Sequence, residues 1–110
     1  MSDTPKPTHP VLKVAINVPL SREFDYLPAA DVPVPAPGSR VLVPFGPRQQ
    51  VGLVLRHASE SSLLPGKIRH CSRVLDQAPV LSDQDLKLIR FTSDYYHHPI
   101  GEVVAAALPA

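Results

Sequence analysis

The sequence predicts a mainly β chain with C-terminal helices, an α+β class in which about five short antiparallel strands form a small barrel. One or two helices follow the strands. Three observations predict this. Apolar residues alternate with period two in short runs between Val11 and Leu75. Turn signals, including Pro37-Gly38, Phe45-Gly46-Pro47 and Pro65-Gly66, separate those runs. After Pro79 the apolar spacing becomes helical.

The elements follow in order. Residues 1–10 are polar and include Pro5, Pro7 and Pro10, the composition of a flexible leader. From Val11, Leu12, Val14, Ile16 and Val18 alternate with Lys13, Ala15 and Asn17, the pattern of a half-buried strand that Pro19 ends. A second strand is expected at Glu23–Leu27, with Phe24 and Tyr26 on one face and Asp25 on the other. Residues 28–39 carry four prolines, too many for a helix or a central strand, because proline lacks an N–H donor. They read as a stiff connector. Third and fourth strands are expected at Arg40–Pro44 and Gln50–Arg56. Gly52 inside the fourth suggests a bulge or a close backbone approach. Residues 57–66 read as a loop, and Arg69–Leu75 as a fifth strand.

Ser82 followed by Asp85 three residues on resembles a capping box. Leu86, Ile89 and Ser93, with Leu88, Phe91 and Tyr95, then give helical spacing to about Tyr96. Pro99 interrupts the chain, and Ile100–Leu108 suits a second short helix that Pro109 stops. This order suits an OB-like barrel, closed or incomplete, with the helices packed on one end. At 110 residues, with 44% hydrophobic, residues 11–110 are enough for one domain with a modest core.

Composition excludes several classes. No apolar run approaches the roughly 20 residues of a membrane span. The first residues lack the pattern of a signal peptide, and the lone Cys71 excludes an internal disulfide framework, which fits a reducing cytoplasm. Cys71 itself reads as a small buried side chain. No phosphate-binding loop, dinucleotide fingerprint or cysteine pair for zinc occurs. His97 and His98 are adjacent and diverge by about 100° on a helix, so they cannot easily share a metal. Their expected role is packing and hydrogen bonding at a helix end. No catalytic grouping stands out, so the chain reads as a non-enzyme without a cofactor.

The net charge of +1 conceals an uneven distribution. Residues 40–73 hold Arg40, Arg48, Arg56, Lys67, Arg69 and Arg73 against Glu60 alone, while both flanks are net acidic. A small barrel with a local basic face is a common nucleic-acid-binding format, because phosphates need clustered cations. On charge alone, six bases that keep barrel edges soluble are the reading slightly ahead.

Several motifs occur in a telling order. Phe24-Asp25-Tyr26 is followed by Val43-Pro44-Phe45-Gly46, Val51-Gly52-Leu53-Val54 and Arg73-Val74-Leu75-Asp76. Asp94-Tyr95-Tyr96-His97-His98-Pro99-Ile100-Gly101-Glu102-Val103 and Ala107-Leu108-Pro109 close the chain. Together they resemble the N-terminal domain of the primosomal protein N′ (PriA) family of replication-restart helicases, from about Val11 to Pro109. The Asp-Tyr-Tyr-His-His-Pro-Ile-Gly run is the most specific piece.

The resemblance implies a module that recognises the 3′ end of the nascent leading strand at stalled or repaired forks. It implies a bacterial, nucleoid-associated protein whose DNA partner is a 3′ end or a branched fork. Other primosome proteins and single-strand-binding protein would be met through the parent protein. The parent family is an ATP-dependent 3′-5′ helicase, and ATP, magnesium and zinc would belong to its other domains. The resemblance places the end-binding pocket on Phe24, Asp25, Tyr26 and Gly46, with Lys67 or Arg69 as the basic residue. An arginine at 69 replaces the lysine more usual there. The prolines at 32–37 and the leader also depart from the family pattern.

The residue chemistry is compatible with that assignment. A carboxylate such as Asp25 accepts a hydrogen bond from a 3′-hydroxyl and repels a phosphate in the same place. Phe24 or Tyr26 would stack on or wall off the terminal base. Gly46 lets backbone approach a nucleotide, and Lys67 or Arg69 would hold the last phosphate. Arg40 and Arg48 are further candidates for phosphate contact. The plainer reading makes Phe24 and Tyr26 core residues and Asp25 a solvated strand residue. Two alternatives stand beside end recognition. One is a general single-strand binder. The other is a protein-interaction barrel that docks on the helicase body or another replication protein through the apolar Ile100–Leu108 helix.

Overall fold

The computed structural model describes residues 10–29, 32–61, 63 and 66–108. Apart from Pro10, the expected leader lies outside the described residues, as do Pro65 and Pro109. Among the described residues six strands form one sheet: β1 (Val11–Ile16), β2 (Phe24–Leu27), β3 (Arg40–Phe45), β4 (Arg48–Ala58), β5 (Arg69–His70) and β6 (Arg73–Val74). Two helices follow, α1 (Asp83–Tyr96) and α2 (Ile100–Ala107). The strand order is β5-β2-β1-β4-β3-β6.

The expected fifth strand is in fact two short ones, and the reason lies in the curl of the sheet. β5 pairs with β2 at one edge and β6 pairs with β3 at the other, although only Cys71 and Ser72 separate them. The Cys71 N–H donates to the Leu27 carbonyl, and the next N–H, from Ser72, donates to the Leu42 carbonyl. One six-residue segment therefore changes partner in mid-course and bridges both edges of a curled, OB-like sheet. The sheet is the expected incomplete OB-like barrel, antiparallel except for the pairing of β2 with β5. β2 and β3 run in opposite directions, so a strand set between them must run parallel to one. It runs parallel to β2 and antiparallel to β3.

The β3–β4 hairpin turns through Gly46-Pro47 between the paired residues Phe45 and Arg48. Gly46 has φ +60°, and a positive φ at the first turn residue matches the right-handed twist of the flanking strands. β4 continues past β3 to pair with β1. There Lys13 faces Arg56 while Val14 faces Val54, which leaves Leu55 as the extra residue of a bulge that bends β4. Gly52 is the close approach. A Cβ there would sit 2.4 Å from Cγ1 of Val14.

The two faces of the sheet bury two cores. Leu12, Val14, Ile16, Tyr26, Val41, Val43, Val54 and Cys71 fill the inside of the curl. Each large aliphatic side chain buried there contributes about 1.5–3 kcal/mol. Ala15 and Leu53 face the other way, against Leu81, Ile89, Ile100 and Val104 from the helical region. The α2 face that the sequence offered as a docking surface is thus largely committed within the chain, since Ile100, Gly101 and Val104 are buried.

α1 opens on the expected capping box. Ser82 Oγ accepts from the Asp85 N–H, and the Asp85 carboxylate accepts from the Ser82 N–H. The Ser82 backbone N–H, aided by the Ser82 side chain, holds the Asp85 carboxyl below its ordinary pKa. The helix ends on His97 in the left-handed conformation, φ 55°. Ser93 then binds His98 twice, accepting its N–H at the backbone carbonyl and donating its hydroxyl to the His98 carbonyl at 2.7 Å. The corner is fixed by the His98 backbone, while the His97 and His98 side chains, expected to pack and hydrogen-bond there, are exposed.

Candidate nucleic-acid interface

A shallow hollow of about 140 Å³ lies where the start of β2 meets the end of β3. Phe24, Asp25, Tyr26, Gly46, Lys67 and Arg69 all line it, although they come from three separate stretches of the chain. Arg22, Pro44, Phe45 and Leu63 complete the lining.

The aromatic wall is built by cross-strand contact. The rings of Phe24 and Phe45 meet edge to face, with centroids 5.1 Å apart. Phe24 is half-buried and keeps part of its ring at the hollow. Tyr26 is a core residue, 5% exposed, and its hydroxyl donates to the Pro44 carbonyl at 2.6 Å. That bond ties β2 to β3 across the curl. Burial pushes the Tyr26 phenol up from its ordinary pKa, with the charge of Arg69 opposing in part. Of the two aromatics, Phe24 is therefore the one that keeps ring surface at the hollow, and Tyr26 sets the floor.

Asp25 is neither solvated nor unpartnered. Its side chain is 7% exposed. One oxygen accepts from Lys13 Nζ at 2.8 Å, from the residue directly across β1, and the other accepts from Ser61 Oγ. A carboxylate offers about four acceptor positions, and these two bonds use two of them. Lys13 and Ser61 were not among the residues the sequence singled out. The register pairing Lys13 with Asp25 is the signal for the first, since opposite charges on facing strands attract.

The cations converge from two segments, the stretch before β2 and the stretch that runs into β5. Arg69 pairs with Tyr26 in the parallel ladder, and its guanidinium donates to the Gly46 carbonyl at 3.3 Å. Lys67 is exposed on the same rim. Arg22 also escaped the sequence reading. Its guanidinium carbon stands 4.9 Å from the centroid of the Phe24 ring, a cation–π arrangement. It lies two residues before Phe24, the spacing that returns a side chain to the same side of an extended chain. Gly46 is exposed, with no atom within 4 Å of where its Cβ would stand, so the space above its backbone is open.

Arg40 and Arg48 are not brought to this hollow. Arg40 begins β3, at the end remote from Gly46, and grips Asp76 with two side-chain bonds of 2.9 Å. These bonds hold the Asp76 carboxyl below its ordinary range. Arg48 is exposed beyond the hairpin turn and does not line the hollow. Among the described residues no cluster has the makings of a metal site, and no helix is long and apolar enough to cross a membrane.

An OB-like sheet with a cationic, aromatic hollow at one end defines the class. Residues 13–109 match the family model described as the 3′DNA-binding domain (3′BD) of PriA, and the chain belongs to that family. The sequence is 34% identical over 99 residues to the replication restart protein PriA of Haemophilus influenzae, and 30% identical over 109 residues to that of Treponema pallidum. It is 36% identical over 97 residues to a probable replication restart protein PriA of Mycobacterium tuberculosis. These alignments cover 90%, 92% and 86% of the chain but only 13%, 16% and 15% of the relatives. The chain thus spans about one-seventh of the length of the curated relatives it matches.

Proposed function

We propose that the hollow holds the terminal nucleotide of a DNA strand and reads its 3′-hydroxyl. The observation that carries this is the convergence of Phe24, Asp25, Tyr26, Gly46, Lys67 and Arg69 on one surface. A terminal sugar over Gly46 would present its hydroxyl to the Asp25 carboxylate, which Lys13 and Ser61 hold in place. A 3′-phosphate there would meet the carboxylate and be repelled. Lys67 and Arg69 would take the phosphate on the 5′ side of that nucleotide, and Phe24 would stack on its base in a sequence-tolerant contact. Residues 11–110 act as one module in this reading. The setting is replication restart at forks, within a longer bacterial helicase that meets the primosome, single-strand-binding protein and the nucleoid.

The test is fluorescence anisotropy with one short strand ending in either a 3′-hydroxyl or a 3′-phosphate. The hydroxyl strand should bind about tenfold tighter, the worth of one hydrogen bond to a charged group. Asp25→Asn, which keeps the shape and removes the charge, should erase most of that preference. Equal binding of the two strands by the unmutated protein would sink the reading.

A second reading, a protein-docking face, is favoured by an observation elsewhere. Leu88, Phe91, Tyr95 and Tyr96 of α1 are all at least 60% exposed. Contiguous apolar surface of that kind is uncommon on a protein that works alone.

A further inference from the structure

A second concavity, of about 250 Å³, adjoins the hollow. It is lined by Arg22, Glu23, Arg90, Asp94, His97 and His98, among others, and Arg22 belongs to both depressions. We propose that Arg22, Arg90, His97 and His98 form a subsite for the sugar-phosphate backbone on the 5′ side of the terminal nucleotide. The proposal rests on the end-binding reading above.

Three features support it. The Glu23 carboxylate is already shared by two guanidiniums, Arg56 at 2.9 Å and Arg90. Glu23 therefore holds Arg90 in position, and because Arg56 shares its carboxylate the three arginines Arg22, Arg56 and Arg90 outnumber the two carboxylates Glu23 and Asp94 by one. The left-handed turn at His97 brings both exposed imidazoles out of the helix, and Ser93 fixes the His98 backbone at both ends. Neither imidazole is used by the cores of the fold. Finally, Arg22 lies over Phe24 at the boundary of the two depressions. A strand leaving the hollow past Arg22 enters a cleft whose donors are guanidiniums and imidazoles, groups suited to phosphate oxygens.

The experiment compares thymidine oligonucleotides of two and six residues, each with a free 3′-hydroxyl, by anisotropy across a salt series. The hexanucleotide should bind about tenfold tighter than the dinucleotide, with a salt slope steeper by about 0.7 for each added phosphate contact. In Arg90→Gln with His98→Ala, and more weakly in His98→Ala alone, the ratio of the two affinities should fall toward one. The single variant disturbs no side-chain ion pair, so it guards against a folding artefact. No gain with length in the unmutated protein overturns the proposal, and so does a gain that both variants retain. If a hexanucleotide ending in a 3′-phosphate binds the unmutated protein as tightly as the 3′-hydroxyl strand, while the double variant still loses the gain with length, end recognition alone is overturned and the cleft remains a strand-binding groove.

Discussion

The hollow and the outer face of α1 both present aromatic rings to solvent, yet they differ in what surrounds the rings. At the hollow, Phe24 is half-buried, braced by Phe45 and overlain by Arg22, with Lys67 and Arg69 on the rim. On α1, Phe91 and Tyr95 stack on each other 5.5 Å apart and Tyr96 meets Tyr95 edge to face, beside the acidic Asp94. Rings framed by fixed cations suit an anionic strand. Rings framed by one another suit an apolar partner. Exposure of an aromatic is therefore a poor guide to its ligand, and the neighbouring charge is a better one.

The strongest way to break this contrast is to loosen the hollow from beneath. Tyr26→Phe removes the hydroxyl that joins β2 to β3 and leaves the Pro44 carbonyl without that donor. A loss of about 2 kcal/mol in urea unfolding is expected, with weaker binding of a 3′-hydroxyl strand. Unchanged stability would mean that β2 and β3 are held together without this bond.

A smaller effect is expected from the Arg40–Asp76 pair, which lies away from both surfaces. The folded-state pKa of Asp76 is below the usual 3.8, because Arg40 hydrogen-bonds its carboxylate. The stabilisation is therefore complete above that value and is lost as the pH falls through the lower folded-state value. Asp76→Asn should cost about 1 kcal/mol at neutral pH and flatten this acid limb. Strand binding at neutral pH should stay close to that of the unmutated protein, since Arg40 does not line the hollow.

The smallest effect on the folded chain is expected from Phe91→Ser with Tyr95→Ser. Both side chains are at least 60% exposed, so stability should change by less than about 0.5 kcal/mol and oligonucleotide affinity should hold. The expected loss is in association with the separately expressed remainder of a longer relative, followed by sedimentation. Weakened oligonucleotide binding in this variant would erase the distinction between the two surfaces.

Much of the fold was legible because it depends on local rules. The alternation from Leu12 to Ile16, the Gly46 turn, the Ser82–Asp85 box and the stop before Pro99 each express a constraint within a few residues. The candidate site was legible mainly through its motif resemblance. Composition and spacing alone left Phe24 and Tyr26 as core residues, which Tyr26 is. The anchoring of Asp25 by Lys13 and Ser61, and the place of Arg22, depend on strand register and loop return, which no local pattern encodes.

The sequence by itself determined which stretches form strands and which form helices, because steric limits, capping and apolar period act over short spans. Only the tertiary structure decided that residues 69–74 divide between two sheet edges. The curl of the sheet brings β2 and β3 within reach of one segment, and one strand cannot be antiparallel to both. The same curl decided which basic residues share a surface. It brings Lys67 and Arg69 to Gly46 at one end of β3, while Arg40 at the other end is bound to Asp76.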